Sequence, residues 1–134
     1  MKSWSDSIFL SMLKAQSKEA NKMKKIEAII KSEKLEELRE ALDAAGFHGM
    51  TVTEVKGRGI QKGIKLEWRV GEYTVEFLPK IKLEIVVEKN KVEQAIGIIE
   101  KVCKTGSIGD GKIFISPVEE VVRIRTGEKG EKAL

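Results

Sequence analysis

The sequence predicts an α+β fold in which a four-stranded antiparallel sheet carries two helices on one face. Two segments of the 134-residue chain place apolar residues three and four positions apart, which is typical of helices packed on one side. Each segment is flanked by stretches that are rich in β-branched residues or alternate between apolar and polar residues, and both patterns favour strands. A long polar stretch punctuated by glycines divides the chain into two β-α-β units.

The first unit begins with an isoleucine-rich strand predicted over residues 24–31. Ser32 is the predicted N-cap of a helix, and Gly46 stands at the end of that helix. Residues 50–55 are rich in Val and Thr and predict the second strand. The apolar stripe of the helix consists of Leu35, Leu38, Leu42 and Ala45.

The second unit opens with the clearest strand pattern, an alternation that starts at Tyr73. Asn90 and Glu93 form a capping-box pattern, which predicts the start of the second helix, and Gly106 ends it. The strand turns one apolar set to the core, namely Val75, Phe77, Ile81, Leu83, Ile85 and Val87. The helix carries its own apolar stripe, namely Val92, Ala95, Ile96, Ile99 and Val102.

A final strand is predicted over residues 112–125, bent or bulged at Pro117, and a charged, mobile tail follows over residues 129–134. The order is therefore βαββαβ, which is typical of a ferredoxin-like sheet. Two helices cannot cover both faces of a sheet, so we expect the open face to associate with other subunits.

The composition excludes several classes of function. A chain that is 41% apolar and 34% charged is globular rather than disordered. Its one cysteine excludes an internal disulfide and a multi-cysteine zinc site, and its one histidine argues against a histidine-rich metal site. No apolar run approaches the roughly 18 residues of a membrane span, and the net charge of +4 is modest.

Residues 1–22 are predicted to be an N-terminal extension, and the folded domain is predicted over residues 23–128. The apolar cluster of the extension is too short and too charged for a signal peptide. Four residues at helical spacing predict a short accessory helix that packs on a neighbour: Trp4, Ile8, Met12 and Ala15.

The segment from Gly106 to Lys112 has the spacing G-x-x-x-x-G-K of a phosphate-binding P-loop. Ile113 follows where that motif needs a hydroxyl, and a strand follows where it needs a helix, so a P-loop NTPase is excluded. Two interpretations remain. The glycines let backbone N–H groups surround an anion with Lys112 beside them, or the segment is an ordinary tight turn.

Arg123 and Arg125 alternate with an isoleucine in the predicted final strand, which places both guanidinium groups on one face. Their planar forks suit phosphate oxygens. The alternative is a solvated edge or an ion pair with one of three nearby carboxylates: Glu119, Glu120 or Glu128.

Two further features lie at the ends of the long polar stretch. Gly57, Gly59 and Gly63 indicate unusual backbone geometry, the close approach of a ligand, or a mobile loop. Lys80 lies at the other end, on the polar face of the long strand, where it either pairs with an acidic ligand or stays solvated.

Four segments together resemble the PII family of nitrogen regulators: GMTVTEVKG at 49–57, FLPK at 77–80, TGSIGDGKIFI at 105–115 and RIRTG at 123–127. The resemblance extends from Met23 to about Glu128. It implies a cytoplasmic homotrimer with a site for ATP or ADP in each cleft between subunits. It implies a regulator without covalent chemistry, and therefore not an enzyme.

The resemblance also assigns residues to the nucleotide. Thr51 and the backbone of Val86 are implied to hold the adenine. The phosphates are assigned to the glycine-rich segment and the two arginines, that is, to Gly109, Asp110, Gly111, Lys112, Arg123 and Arg125. Gly59, Ile60 and Gln61 complete this set.

A second ligand, 2-oxoglutarate, is implied beside the nucleotide. Lys80 matches the lysine that pairs with one of its carboxylates. Backbone N–H groups of Gln61, Lys62 and Gly63 are implied to receive its other end. Mg²⁺ is implied to bridge the ATP phosphates, 2-oxoglutarate and the Gln61 side chain.

Residues 59–74 match the T-loop, the long loop between the second and third strands that family members insert into targets such as ammonium transporters. Arg69 matches the arginine that plugs the channel, and Tyr73 matches a tyrosine that some members have nucleotidylated. Recruitment to a membrane is implied only through such a transporter. The chain departs from the family pattern where Ile60 replaces a basic residue that often contacts phosphate and Ile64 replaces a common histidine.

Two other functions compete with this hypothesis. A small ATP-hydrolysing enzyme would use the glycine-rich segment, but Asp110 is the only carboxylate there and His48 lies elsewhere in the sequence. An RNA-binding sheet needs exposed aromatic residues on its central strands. Only Phe114 is a candidate, because Phe77 lies on the predicted core face. We therefore expect no direct contact with nucleic acid.

Overall fold

A computed structural model of the chain describes residues 6–11, 22–59, 64–68 and 71–134. Its strands are β1 (Met23–Ile30), β2 (Thr51–Gly57), β3 (Ile64–Trp68), β4 (Gly71–Val75), β5 (Leu78–Glu88) and β6 (Lys112–Val118). Its longer helices are α1 (Leu35–Ala44) and α2 (Val92–Cys103). The main sheet is antiparallel in the order β2-β5-β1-β6, and β3 pairs with β4 in a separate sheet. The predicted ferredoxin-like α+β fold is confirmed.

The hydrophobic core lies between one face of the main sheet and both helices. Side chains directly opposite each other on paired strands share a face. Three such pairs between β1 and β5 are buried: Ile26 with Ile85, Ala28 with Leu83, and Ile30 with Ile81. The buried helix residues of the same cluster are Leu38, Leu42, Val92, Ala95, Ile99 and Cys103. Both helices therefore cover the same face, as predicted.

The other face of the sheet, which neither helix covers, mixes apolar and charged side chains. Ile29 and Phe114 lie on it beside an ion-pair cluster. The ammonium group of Lys25 lies 2.9 Å from the carboxylate of Glu84, and that of Lys82 lies 3.4 Å from it. The hydrogen bond from Lys25 holds the pKa of the Glu84 carboxyl below its ordinary value. This open face carries the residues of the candidate site described below.

The predicted caps of both helices are wrong. A 3-10 turn precedes each helix, Ser32–Lys34 before α1 and Lys89–Lys91 before α2. Neither α-helix receives a side-chain hydrogen bond at its N-cap position. Ser32 and Asn90 therefore lie inside tight turns, where their side chains do not reach the first free N–H groups of the helix.

The strand predicted from Tyr73 onward is in fact two strands. β4 ends at Val75 and β5 begins at Leu78, because the chain leaves the small sheet and enters the main one between them. Phe77 falls in this gap and is 53% exposed, so its predicted place in the core is wrong. From Ile81 to Val87 the predicted alternation is confirmed.

The last strand ends earlier than predicted, at Val118. β1 begins at Met23, which pairs with Val118, so no partner residue of β1 remains beyond that point. Pro117 causes no bulge, because the pairing register runs through it unbroken. β6 is an edge strand, where the N–H that proline lacks is not needed by a second neighbour.

Residues 6–11 of the extension form a short helix whose side chains are all exposed. Three of them are large and apolar: Ile8, Phe9 and Leu10. Within the part of the chain that the structure describes, no helix is long and apolar enough to cross a lipid bilayer.

Cys103 at the end of α2 provides a test of the packing on this side of the core. It is 5% exposed, and burial raises the pKa of its thiol to about 11. Because the thiolate is the reactive form, we expect a chromogenic disulfide reagent to modify Cys103 only after denaturant has unfolded the protein. The variant Cys103→Ala, which lacks the thiol, gives the background signal of the reagent. Equal reaction rates for the native and unfolded protein would show that α2 does not bury this thiol.

Candidate functional site

The glycine loop, residues 105–112, leads from the end of α2 to the first residue of β6. Gly106, Gly109 and Gly111 have φ angles of 84°, 96° and 104°, a region that other residues rarely adopt. A Cβ atom on Gly111 would lie 1.7 Å from the carbonyl oxygen of Ile29. The loop is therefore pressed against the end of β1, and only glycine fits at that contact.

The carboxylate of Asp110 turns inward and holds the glycine loop together. It accepts hydrogen bonds from the backbone N–H groups of Thr105 at 2.8 Å and Gly106 at 2.9 Å, and from the Thr105 hydroxyl at 2.5 Å. The Thr105 hydroxyl, followed by these N–H groups, holds the pKa of the Asp110 carboxyl well below its ordinary value. A carboxylate of such low pKa is a poor general base, which argues against an ATP-hydrolysing role for Asp110.

Lys80 reaches the glycine loop from β5. Its ammonium group donates a hydrogen bond to the carbonyl oxygen of Gly109 at 2.5 Å. Lys80 is thus bound to the loop, and the alternative of a merely solvated lysine does not describe it.

A cavity of about 450 Å³, which we call the loop cavity, opens between the glycine loop and the ends of β1, β2 and β5. The predicted site residues that line it are Gly59, Lys80, Gly109, Asp110, Gly111 and Lys112. Arg58 lines it as well, so three cationic side chains, several glycines and an internally bonded carboxylate share one cavity, which suits an anionic ligand.

A second cavity, of about 480 Å³, contains the two residues predicted to hold adenine. We call it the Thr51 cavity. Thr51 and Val86 line it together with Phe47 and with Leu134 at the end of the chain. β2 begins opposite Glu84, so the backbone of β5 beyond that residue is not paired with β2. The polar groups on that side of β5 are therefore open to a ligand in the Thr51 cavity.

The two cavities lie at opposite ends of β5. Lys80 and Val86 are on the same face of this strand, and their separation corresponds to roughly 20 Å at about 3.3 Å per residue. The structure therefore divides the predicted nucleotide residues of one chain into a phosphate group at the loop cavity and an adenine group at the Thr51 cavity.

The predicted placement of Arg123 and Arg125 on one strand face is wrong, because β6 has ended before them. The guanidinium group of Arg123 instead forms an ion pair with the carboxylate of Glu128 at 3.2 Å, one of the alternatives considered above. It also donates to the carbonyl oxygen of Leu134 at 3.2 Å. Because Leu134 lines the Thr51 cavity, Arg123 borders that cavity.

The C-terminal tail, predicted to be charged and mobile, makes backbone contacts with the segment before it. Lys129 pairs with Val122 in an isolated β-bridge. The N–H of Gly130 donates to the carbonyl oxygen of Val121 at 3.0 Å. A 3-10 turn over Gly130–Ala133 then leads to the end of the chain.

Several predicted site residues lie outside the described residues: Ile60, Gln61, Lys62, Gly63 and Arg69. Tyr73 lies on β4 opposite Leu66 of β3. The stretch from Gly57 to Gly71 has no sustained periodicity, and the paired strands β3 and β4 were not predicted there. The two residues between these strands in the sequence, Arg69 and Val70, are not types that signal a hairpin turn.

Lys31 is a residue of this region that sequence analysis missed. It follows β1, and its ammonium group donates to the hydroxyls of Thr105 and Ser107, each at 3.2 Å. Strand alternation places Lys31 on the same face as Ile29, so its direction was predictable. Its contacts were not, because they depend on a loop that lies more than seventy residues further along the chain.

Comparison with known proteins identifies the family. A family model described as Nitrogen regulatory protein P-II matches residues 23–128. The Nitrogen regulatory protein P-II of Azospirillum brasilense is 61% identical over 112 residues, which cover 84% of this chain and 100% of that protein. The Nitrogen regulatory protein P-II 2 of Methanothermobacter thermautotrophicus is 60% identical over 112 residues, covering 84% of this chain and 97% of that protein.

A solved structure supports the same assignment. The structure of Arabidopsis thaliana PII bound to citrate matches with a TM-score of 0.70 and 42% identity, covering 85% of this chain and 94% of that chain. The fold and the sequence together define a regulatory protein of nitrogen signalling. The chain belongs to the PII family of nitrogen regulatory proteins.

The contact of Gly111 with β1 leads to a prediction about stability. We expect Gly111→Ala to lower the free energy of unfolding by about 3 kcal/mol or more, because a Cβ overlaps the Ile29 carbonyl at a strained φ. Urea denaturation at a fixed protein concentration measures the loss. Gly106→Ala is the matched control, since its φ is also positive but a Cβ there meets nothing within 4 Å. We expect about 1 kcal/mol for it, and equal losses would contradict a tight contact.

Proposed function

We propose that this PII-family chain is a sensor that binds ATP or ADP at sites shared between the copies of a homotrimer, with residues 23–128 as the sensing domain. The observation that carries the proposal is the division of the predicted nucleotide residues between two cavities at opposite ends of β5. The phosphate residues at the loop cavity and the adenine residues at the Thr51 cavity are too far apart for both sets of one chain to bind the same nucleotide. Joining the loop cavity of one copy to the Thr51 cavity of the next supplies both groups, and a closed ring of three copies repeats this contact three times.

The loop cavity is the proposed phosphate subsite. Gly109 and Gly111 line it and carry backbone N–H donors, and Arg58, Lys80 and Lys112 supply positive charge. These are the donors that phosphate oxygens bind in proteins. The negative charge of Asp110 would repel phosphate, but hydrogen bonds inside the loop reduce this repulsion because they hold the carboxylate there.

The Thr51 cavity is the proposed adenine subsite. Thr51 offers a hydroxyl, and the β5 backbone near Val86 offers polar groups that β2 does not use. Arg123 borders this cavity, so we propose that it reaches the phosphates across the interface from this side, together with Arg125. Arg123 then exchanges the carboxylate of Glu128 for a phosphate group.

2-Oxoglutarate, bound together with Mg-ATP, is the proposed effector. Lys80 is the proposed partner of one of its carboxylates. In the sequence, Gln61, Lys62 and Gly63 come two to four positions after Gly59, which lines the loop cavity, and their backbone N–H groups are the proposed partners of the effector's other end. Gln61 is the proposed protein ligand of Mg²⁺, whose other ligands come from the phosphates and the effector. The Arabidopsis relative is described as bound to citrate, which is in keeping with a carboxylate effector here.

An ammonium transporter is the proposed target, reached from the cytoplasm through the T-loop, residues 59–74. The strands β3 and β4 form a sheet of their own within this stretch. Arg69 stands in the sequence between them, where an inserted residue is expected. Tyr73 on β4 is the proposed modification site. ATP with 2-oxoglutarate and ADP alone then favour different states of the loop, which changes the affinity for the target.

Calorimetric titration of 2-oxoglutarate with and without Mg-ATP tests the sensor. We expect binding only in the presence of Mg-ATP, because the metal joins the two ligands. Lys80→Met removes the cation that pairs with the effector, so we expect its affinity to fall by at least about tenfold. Lys82→Met is the matched control, since it lies on the same face of β5 but pairs with Glu84 at 3.4 Å.

Two results would overturn the integrated sensor. One is binding of 2-oxoglutarate that ignores ATP, and the other is no binding under either condition. Steady release of phosphate from ATP at many turnovers per minute, abolished by Asp110→Asn, would instead favour the enzyme.

Retention on membranes that contain an ammonium transporter tests the target. We expect the ADP-bound protein to be retained, and Mg-ATP with 2-oxoglutarate to release it. Arg69→Glu should reduce retention at least about tenfold, because it reverses the charge of the residue proposed to enter the channel. Lys56→Glu is the control, since Lys56 is exposed on β2 ahead of the loop. Equal retention of both variants would show that the T-loop is not the contact.

A further inference from the structure

Lys31 joins the end of β1 to the glycine loop. Its side chain is 20% exposed, so most of it is covered by the protein. The ammonium group contacts three oxygen atoms of the loop, each at 3.2 Å: the hydroxyls of Thr105 and Ser107 and the carboxylate of Asp110. A lysine ammonium has three N–H donors. The loop thus offers one acceptor for each donor.

These contacts hold the part of the loop that faces the cavity. Asp110 lies between Gly109 and Gly111, the two glycines with positive φ at the loop cavity. Lys31 and the Thr105 hydroxyl bind the same carboxylate oxygen of Asp110. Because the Asp110 side chain is fixed from outside the loop, the peptide groups on either side of it have less freedom to rotate.

Lys31 also compensates a negative charge at the cavity. Asp110 is ionised at neutral pH, since the hydrogen bonds of the loop hold its pKa low. With Lys31 paired to it, Arg58, Lys80 and Lys112 remain as the net positive charge among the residues that line the cavity. Without Lys31, the carboxylate would stand uncompensated beside an anionic ligand and repel it.

We propose that Lys31 is a positioning residue of the glycine loop, which sets the affinity of this chain for nucleotide phosphates without touching them. The inference rests on the proposed function, because it assumes that the loop cavity takes the phosphates. It assigns Lys31 a role that acts through Asp110.

Four proteins form the test: the full-length chain in its native assembly, Lys31→Met, Asp110→Asn and the double variant, each titrated with ADP by calorimetry. We expect Lys31→Met to weaken ADP binding about tenfold, because one charge-assisted contact is lost and one charge is left unpaired. In the Asp110→Asn background the same change should cost no more than about twofold, since no carboxylate remains to compensate.

Two further variants separate positioning from a general effect on structure. Lys31→Arg keeps the positive charge and should bind ADP within about threefold of the wild type. Lys34→Met is the matched control, because Lys34 lies in the neighbouring turn, where its ammonium group lies 3.9 Å from the carboxylate of Glu37. Its affinity for ADP should equal that of the wild type. Thermal unfolding of each variant shows that the compared proteins are folded.

The outcomes are distinguishable. If the wild type does not bind ADP, the proposed function fails and this inference fails with it. If the wild type binds ADP and Lys31→Met binds equally well, the proposed function stands and the inference is wrong. Equal losses from Lys31→Met in the wild-type and Asp110→Asn backgrounds would also overturn it, because Lys31 would then not act through Asp110. Should Lys31→Met not fold, failure of the folded Lys31→Arg to bind ADP would overturn it.

Discussion

The contact between Gly111 and the carbonyl oxygen of Ile29 is the constraint on which the site depends. It sets the glycine loop directly on the end of β1, where any Cβ atom would overlap the backbone. Lys31 at the end of β1 and Lys80 on the adjacent β5 both reach the loop only because it lies there. A shift of the loop away from β1 would break both lysine contacts at once, so the fold of the sheet and the geometry of the loop cavity are not independent.

The fold was predictable from the sequence where the signal is local. Alternation in β5 and apolar spacing in both helices reflect which side of each element is buried, and the core confirms them. The end of β6 was not predictable in this way, because it is set by the point at which β1 begins. The prediction of the N-cap was wrong because a serine such as Ser32 fits the start of an α-helix as well as the 3-10 turn that it occupies.

The candidate site was predictable in its parts but not in its arrangement. The glycine spacing of residues 105–112 left two alternatives, an anion-binding loop and an ordinary tight turn, and both accommodate the positive φ angles of its glycines. The physical argument alone indicated an anion, and only the family resemblance named a nucleotide and 2-oxoglutarate. The contacts of Lys31 and the separation of the two cavities depend on tertiary structure, and no local pattern encodes them. The pairing of Arg123 with Glu128 was one of the alternatives that the sequence left open.

β5 connects the two cavities through a single, continuous backbone. It is paired on both sides over most of its length, with β2 and with β1, so its backbone is held along both edges. Lys80 at one end belongs to the loop cavity and Val86 at the other to the Thr51 cavity. In a ring in which each cleft takes one cavity from each neighbour, every copy's β5 therefore touches two clefts. In the proposed ring, one continuous strand would therefore contribute Lys80 to one cleft and Val86 to the next.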